Sequence, residues 1–128
     1  MTLPQHLEVE LRDGRLTAVT DSDLIRIILV RAGAEAEVRL IDSNVEVLQK
    51  LVGGYFEQVV LDEDTVAMCN EDGLALELPR NERVGLPPFV GDFVIGRFHS
   101  EAGELVSMTD DDVARWMTQL ALGAPLLN

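Results

Sequence analysis

The sequence predicts an α+β domain: a mainly antiparallel sheet of about six to eight strands built from hairpins, with two helices over about residues 43–52 and 109–122. Three observations predict it. Apolar runs of strand length recur between turn signals such as Asp13-Gly14, Asp62-Glu63-Asp64 and Asn70 to Gly73. Apolar residues at helical spacing stand out in only two stretches, each with a capping residue before it. The strands are joined mostly by tight turns rather than alternating with helices, which points to hairpins.

Taken in order, "HLEVELRDGRLTAVT" reads as a hairpin, with Leu7, Val9 and Leu11 alternating and Asp13-Gly14 at its turn. "LIRIILVRAGAEAEVRLI" is a second hairpin. Its first arm is apolar at most positions, as suits a central strand covered on both faces. In "DSNVEVLQKLVGG" Ser43 is expected to cap a helix, with Glu46 closing a capping box and Val45, Leu48 and Val52 forming the apolar stripe. Gly53 and Gly54 end it, since glycine accepts the left-handed conformation that helix C-termini use.

"YFEQVVL" and "TVAMC" follow as strands, and "LALEL" is expected to be another, with Leu74, Leu76 and Leu78 toward the core. "NEDG" fits the bulged turn between them, with Gly73 at positive φ. "PRNERVGLPPFVG" is a loop and "DFVIGRFH" a strand with "SEAGE" turning after it. In "TDDDVARWMTQLALG" Thr109 caps a helix, three Asp residues favour its positive end, and Val113, Trp116, Met117 and Leu120 face inward. Both helices are expected on one face of the sheet.

The 128 residues suffice for one domain with a single core, and 47% hydrophobic content argues for a folded globule. The formal charge is −13 and uneven: −3 over residues 1–56 and −10 over 57–128. A field of that sign repels phosphate backbones, so direct nucleic-acid binding is disfavoured unless Arg12, Arg15, Arg26, Arg31 and Arg39 form a basic groove. It permits a basic partner, divalent cations or mimicry of a polyanion, and it also serves simply to keep a small protein soluble. Cys69 is the only cysteine, which excludes an intramolecular disulfide and a thiolate zinc cluster; it reads as a small buried hydrophobe. The N-terminus lacks a signal-peptide pattern and no apolar run is long enough to span a bilayer, so a cytoplasmic protein without a membrane segment is expected.

Catalytic motifs are sparse. There is no nucleophile elbow, and His6 and His99 stand far apart in sequence. "DED" lacks the spacing of a calcium loop, "DDD" is explained by its helix start, and "VGGYF" follows a helix instead of preceding one, the reverse of a phosphate loop. No catalytic residue, metal ligand or cofactor is assigned, and the reading leans away from an enzyme. One polar constellation competes with simple turn chemistry. Glu57 lies early in a strand, Asn70 and Glu71 at a turn, and Asn81 at the start of a loop; antiparallel pairing could gather some of them at one edge. Turn geometry and an Asx turn explain Asn70 and Asn81 equally well.

"LQKLVGGYFEQVVL", "NEDGLALELPRN", "GDFVIGRF" and "GELVSMTDDDV", in that order and spacing, closely resemble a family of small phage and bacterial proteins, domain of unknown function 3846. The resemblance covers about residues 25–119, with Ala32 where the family usually has Pro. It implies that Glu57, Asn70, Glu71, Gly73, Pro79 and Asn81 deserve inspection, and it brings no activity. It makes residues 1–24 an added hairpin or arm beside a single domain over 25–128, and such an arm could cover a sheet edge or pair across a homodimer. It also implies a phage, prophage or plasmid setting. The expected function is accordingly that of a non-enzymatic accessory or regulatory protein, of anti-defence type, whose acidic surface binds another protein. The alternative is a small ligand-binding or enzymatic domain using Glu57, Asn70, Glu71 and Asn81.

Overall fold

A computed structural model describes residues 8–12, 15–19, 24–99 and 104–122. The chain is α+β. Its elements are β1 (Glu8–Arg12), β2 (Arg15–Val19), β3 (Leu24–Val30), β4 (Glu37–Asp42), α1 (Val45–Val52), β5 (Phe56–Val60), β6 (Thr65–Asn70), β7 (Arg80–Asn81), β8 (Phe89–Val90), β9 (Phe93–His99), β10 (Glu104–Val106) and α2 (Asp110–Leu122). Six strands form one antiparallel sheet in the order β4-β3-β9-β6-β5, with β10 on the far end of β9. β1 pairs with β2 in a separate hairpin, as expected; its Asp13-Gly14 turn lies outside the described residues. The turn expected over "SEAGE" also falls mostly outside them.

The helices do not share a face. Ile27, Leu29, Met68 and Val94 pack with Leu48 and Val52 of α1. Their strand neighbours Ile28, Val30, Ala67, Phe93 and Ile95 pack with Trp116 and Leu120 of α2 on the opposite side. The alternation of side chains along a strand requires this split. β3, β6 and β9 are apolar at consecutive positions, so each face needs its own cover, and the chain has one helix for each. The continuous run in "IRIILV" already carried this signal.

α1 starts one residue later than expected. Asn44, not Ser43, is the N-cap, and its side chain accepts from the Val47 N–H at 2.8 Å. At the other end Gly53 is left-handed (φ 82°) and its N–H donates to Gln49 O, as the glycine pair predicts. α2 has a reciprocal cap. The Asp112 N–H donates to Thr109 Oγ1 (3.0 Å), and the Thr109 N–H donates to Asp112 Oδ2 (2.9 Å).

The largest departure is "LALEL". Residues 71–77 form turns, not a strand, closed by Leu76 N–H to Asp72 O and Leu78 N–H to Gly73 O. Leu74 and Leu76 are 82% and 57% exposed. Asn70 starts the reversal by accepting the Asp72 N–H on its side chain (2.8 Å), so a helical-type coil competes successfully with a short strand. Gly73 is not at positive φ either. It is required because a Cβ there would stand 2.6 Å from Val90 Cγ2. The loop over 79–91 is gathered by the two-residue ladder of β7 and β8, which places Phe89 on Phe93 with ring centroids 4.3 Å apart.

Candidate functional site

Glu57, Asn70 and Glu71 meet at one end of β5 and β6. They border a cleft of about 250 Å³, together with Cys69, Leu74 and Pro88. Register explains the meeting: Glu57 is opposite Cys69, Phe56 is opposite Asn70, and the Glu71 N–H donates to Tyr55 O at 3.0 Å. Asn81 is elsewhere. It is buried in β7, paired with Phe89 of β8, and the expected polar set is therefore three residues and not four.

Asn70 is committed to structure. Its Nδ2 donates to Val52 O (3.1 Å), a carbonyl left over at the end of α1, while its Oδ1 holds the Asp72 N–H. Gly54 makes this possible, since a Cβ there would sit 3.2 Å from Asn70 Nδ2. The "GG" and "NEDG" motifs are thus two halves of one contact. Asn81 does comparable work. Its Nδ2 donates to Val30 O and Gly91 O (both 2.9 Å), and its Oδ1 accepts from Arg83 Nε (3.0 Å). These bonds pin the loop to the end of β3, in place of the Asx turn that was expected.

Glu57 and Glu71 are exposed. Cys69 Sγ donates to Glu57 Oε1 at 3.7 Å. Burial, then the neighbouring Glu57 charge and its hydrogen bond, push the thiol up to about 11. A neutral thiol facing a carboxylate is a poor nucleophile at neutral pH, so this pair is suited to shape and charge, not covalent chemistry.

The surroundings are acidic. Residues 51–79 contain seven carboxylates and no Lys or Arg. Two of the seven are spent within the fold: Asp62 accepts from Arg115 Nη2 (2.8 Å) and Asp64 lies 3.8 Å from Arg97. Burial alone would raise Asp62, but bonds from the Asp64 N–H, Thr65 and Arg115 hold its carboxyl below the usual range. Glu57, Glu63, Glu71 and Asp72 make no ion pair among the described residues.

β5 is also the edge of the sheet. Tyr55 and Leu61, which flank β5, bond toward the β6 side, through Glu71 N–H to Tyr55 O and Leu61 N–H to Thr65 O. By the two-residue period of an antiparallel ladder, Phe56, Gln58 and Val60 direct their N–H and C=O groups outward. Tyr55 and Val60 flank them at 70% and 73% exposure. Sequence reading passed over these two. The signal was available in "GGYFEQVV", whose apolar residues outnumber the inward positions of an edge strand.

Arg83 was missed as well. It is only 5% exposed and donates through Nη2 to Arg31 O (3.0 Å) and Ala34 O (2.7 Å). Burial lowers its pKa. A second arginine in "PRNER", within a Pro- and Gly-rich loop, gave no periodicity that could mark it as buried.

Among the described residues no group of three or more His, Cys, Asp or Glu is placed to hold a metal ion, and no helix is long and apolar enough to cross a membrane. The family model described as "Domain of unknown function (DUF3846)" matches residues 25–121. No curated protein and no solved structure matches the chain.

Proposed function

The chain belongs to the DUF3846 family, and on that premise we propose that it is a non-enzymatic accessory protein, of mobile-element type, that binds another protein along its acidic β5 edge. The observation that carries this reading is the coincidence at one sheet edge of three features: outward backbone at Phe56, Gln58 and Val60 that pairs with no described strand, exposed Tyr55 and Val60, and Glu57 and Glu71 without an ion pair among the described residues. An uncovered edge attracts further strands, and natural proteins usually blunt it with lysine, proline or a covering loop. β5 contains neither lysine nor proline, and no described strand pairs with its outer side. The occupant that fits is an extended basic segment of a partner, adding as a strand while its cations meet Glu57, Glu63 and Glu71.

The test uses Gln58→Pro, which removes an outward N–H without touching the β6 ladder, and Glu57→Gln/Glu63→Gln/Glu71→Gln, which removes the charge. An alternating Lys-Val octapeptide is expected to slow hydrogen exchange at the amides of Phe56, Gln58 and Val60 in the wild type, and to bind neither variant. A partner recovered from host lysate should be lost with both variants. Retention of either ligand by both variants would overturn the reading.

A second reading, a small ligand-binding or enzymatic domain, rests on the convergence of Glu57, Asn70 and Glu71 on one cleft. The internal bonds of Asn70 and Asn81 weigh against it, leaving the carboxylates of Glu57 and Glu71, with the buried thiol of Cys69 bonded to Glu57. It would prevail if a small cation such as putrescine bound saturably at Glu57 while the Gln58→Pro variant bound it unchanged.

A further inference from the structure

A second cavity, of about 270 Å³, lies between the β3–β4 turn and the end of α2, lined by Glu35, Ala36, Arg83, Met117, Leu120 and Ala121. Arg83 is its unusual member. A guanidinium this buried ordinarily meets a carboxylate, because desolvating a charge without a counter-charge is costly. The chain carries 23 acidic residues, yet among the described residues Arg83 forms no ion pair. Its acceptors are three neutral oxygens: Asn81 Oδ1, Arg31 O and Ala34 O. Those bonds use Nε and Nη2, and Nη1 donates to no described residue. Nor is Nη1 among the fully buried polar atoms without a partner, so it keeps some exposure, and Arg83 borders both this cavity and a neighbouring opening lined by Glu82, Val84, Leu86 and Pro88. Glu82, the adjacent acid, lies instead 4.0 Å from Arg80.

The other walls are aliphatic. Ala36, Met117, Leu120 and Ala121 supply a greasy lining to one cation, and the volume falls just under the roughly 300–1,000 Å³ typical of drug-sized ligands. We propose that this cavity binds a small aliphatic monocarboxylate, whose head accepts from Arg83 Nη1 and whose tail lies against Met117 and Ala121. The charge-neutralising partner that the described residues do not provide is then supplied by the ligand. Asn81 acts here as a positioning residue, since its Oδ1 fixes the plane of the guanidinium from the Nε side. Glu35 stands in the same lining without pairing to Arg83, and its charge opposes that of the guest.

Titration with sodium hexanoate, followed by amide and methyl chemical shifts of the full chain, tests the site. Hexanoate should give saturable shifts at Ala36, Met117 and Ala121, whereas hexanol and hexylamine should not. Glu35→Gln should tighten hexanoate roughly threefold or more, by removing a nearby like charge. Ala121→Trp alters an exposed helix position, fills the cavity and leaves Arg83 in place; it should weaken hexanoate at least tenfold while the rest of the spectrum stays native. Equal shifts with hexanol, no saturable shift with hexanoate, or undiminished binding to Ala121→Trp would each overturn the proposal. None of these outcomes depends on the β5 edge.

Discussion

Asn70 and Glu71 are adjacent in sequence and opposite in consequence. Asn70 satisfies a helix-end carbonyl and a turn amide from within the fold, whereas Glu71 offers only its backbone N–H to Tyr55 and leaves its carboxylate exposed. Asn70→Ala leaves both partners unbonded and should destabilise by about 2–3 kcal/mol in chemical denaturation. Glu71→Ala should stay within about 0.5 kcal/mol of wild type. Equal effects of the two would show that Asn70 is not the tie described here. The sequence marked both residues as worth inspecting, because Asn before Gly is a turn signal and a carboxylate beside it is easily seen. It could not separate them, since the Val52 carbonyl that claims Asn70 lies 18 positions away. Arg83 escaped for the same reason: two of its three acceptors belong to residues 31 and 34, and no local pattern announces a pairing at that range.

Elements were legible where spacing alone decides them. Both helices appear within two residues of their expected bounds, because a cap, an apolar stripe and a stop were all local. "LALEL" misled because strict alternation over five residues also suits a coil whose leucines face solvent, and the choice fell to Asn70 and to the crowding of Gly73 by Val90. At the α2 start, Thr109→Ala should cost about 1 kcal/mol by removing the cap. Asp112 gives the same cap a pH signature. Burial would raise its carboxyl, but bonds from the Thr109 N–H, Arg97 and the Thr109 hydroxyl together hold it below the ordinary range. Its folded-state value is depressed, so its contribution to stability is complete above about pH 4, where the unfolded carboxyl is ionised, and fades as acid approaches the folded value. The stability gap between wild type and Asp112→Asn should be flat from pH 8 to pH 5 and narrow below pH 4. A gap that widened in acid would refute the assignment.

For the molecule as a whole, charge is the dominant long-range term. With −13 on 128 residues, self-repulsion loads the folded state, and the internal pairs Arg97–Asp112 and Arg115–Asp62 relieve only a part of it. Raising NaCl from 50 to 500 mM should stabilise the protein by about 1 kcal/mol, seen as a rise of roughly 3–6 °C in melting temperature. A fall would mean that the screened ion pairs outweigh the repulsion. The expectation of one shared face for both helices failed at this scale, although "IRIILV" held the information that two covers were needed. That two-sided cover also determines how sequence variation can accumulate. On β5 only Phe56 and Val59 are half-buried, so a saturation mutagenesis survey should find tolerance at Glu57, Gln58 and Val60 between and beside two restricted positions. Along Val66–Cys69 and Phe93–Ile95 each successive side chain is enclosed, on one side and then the other. There the survey should return an unbroken block of intolerance.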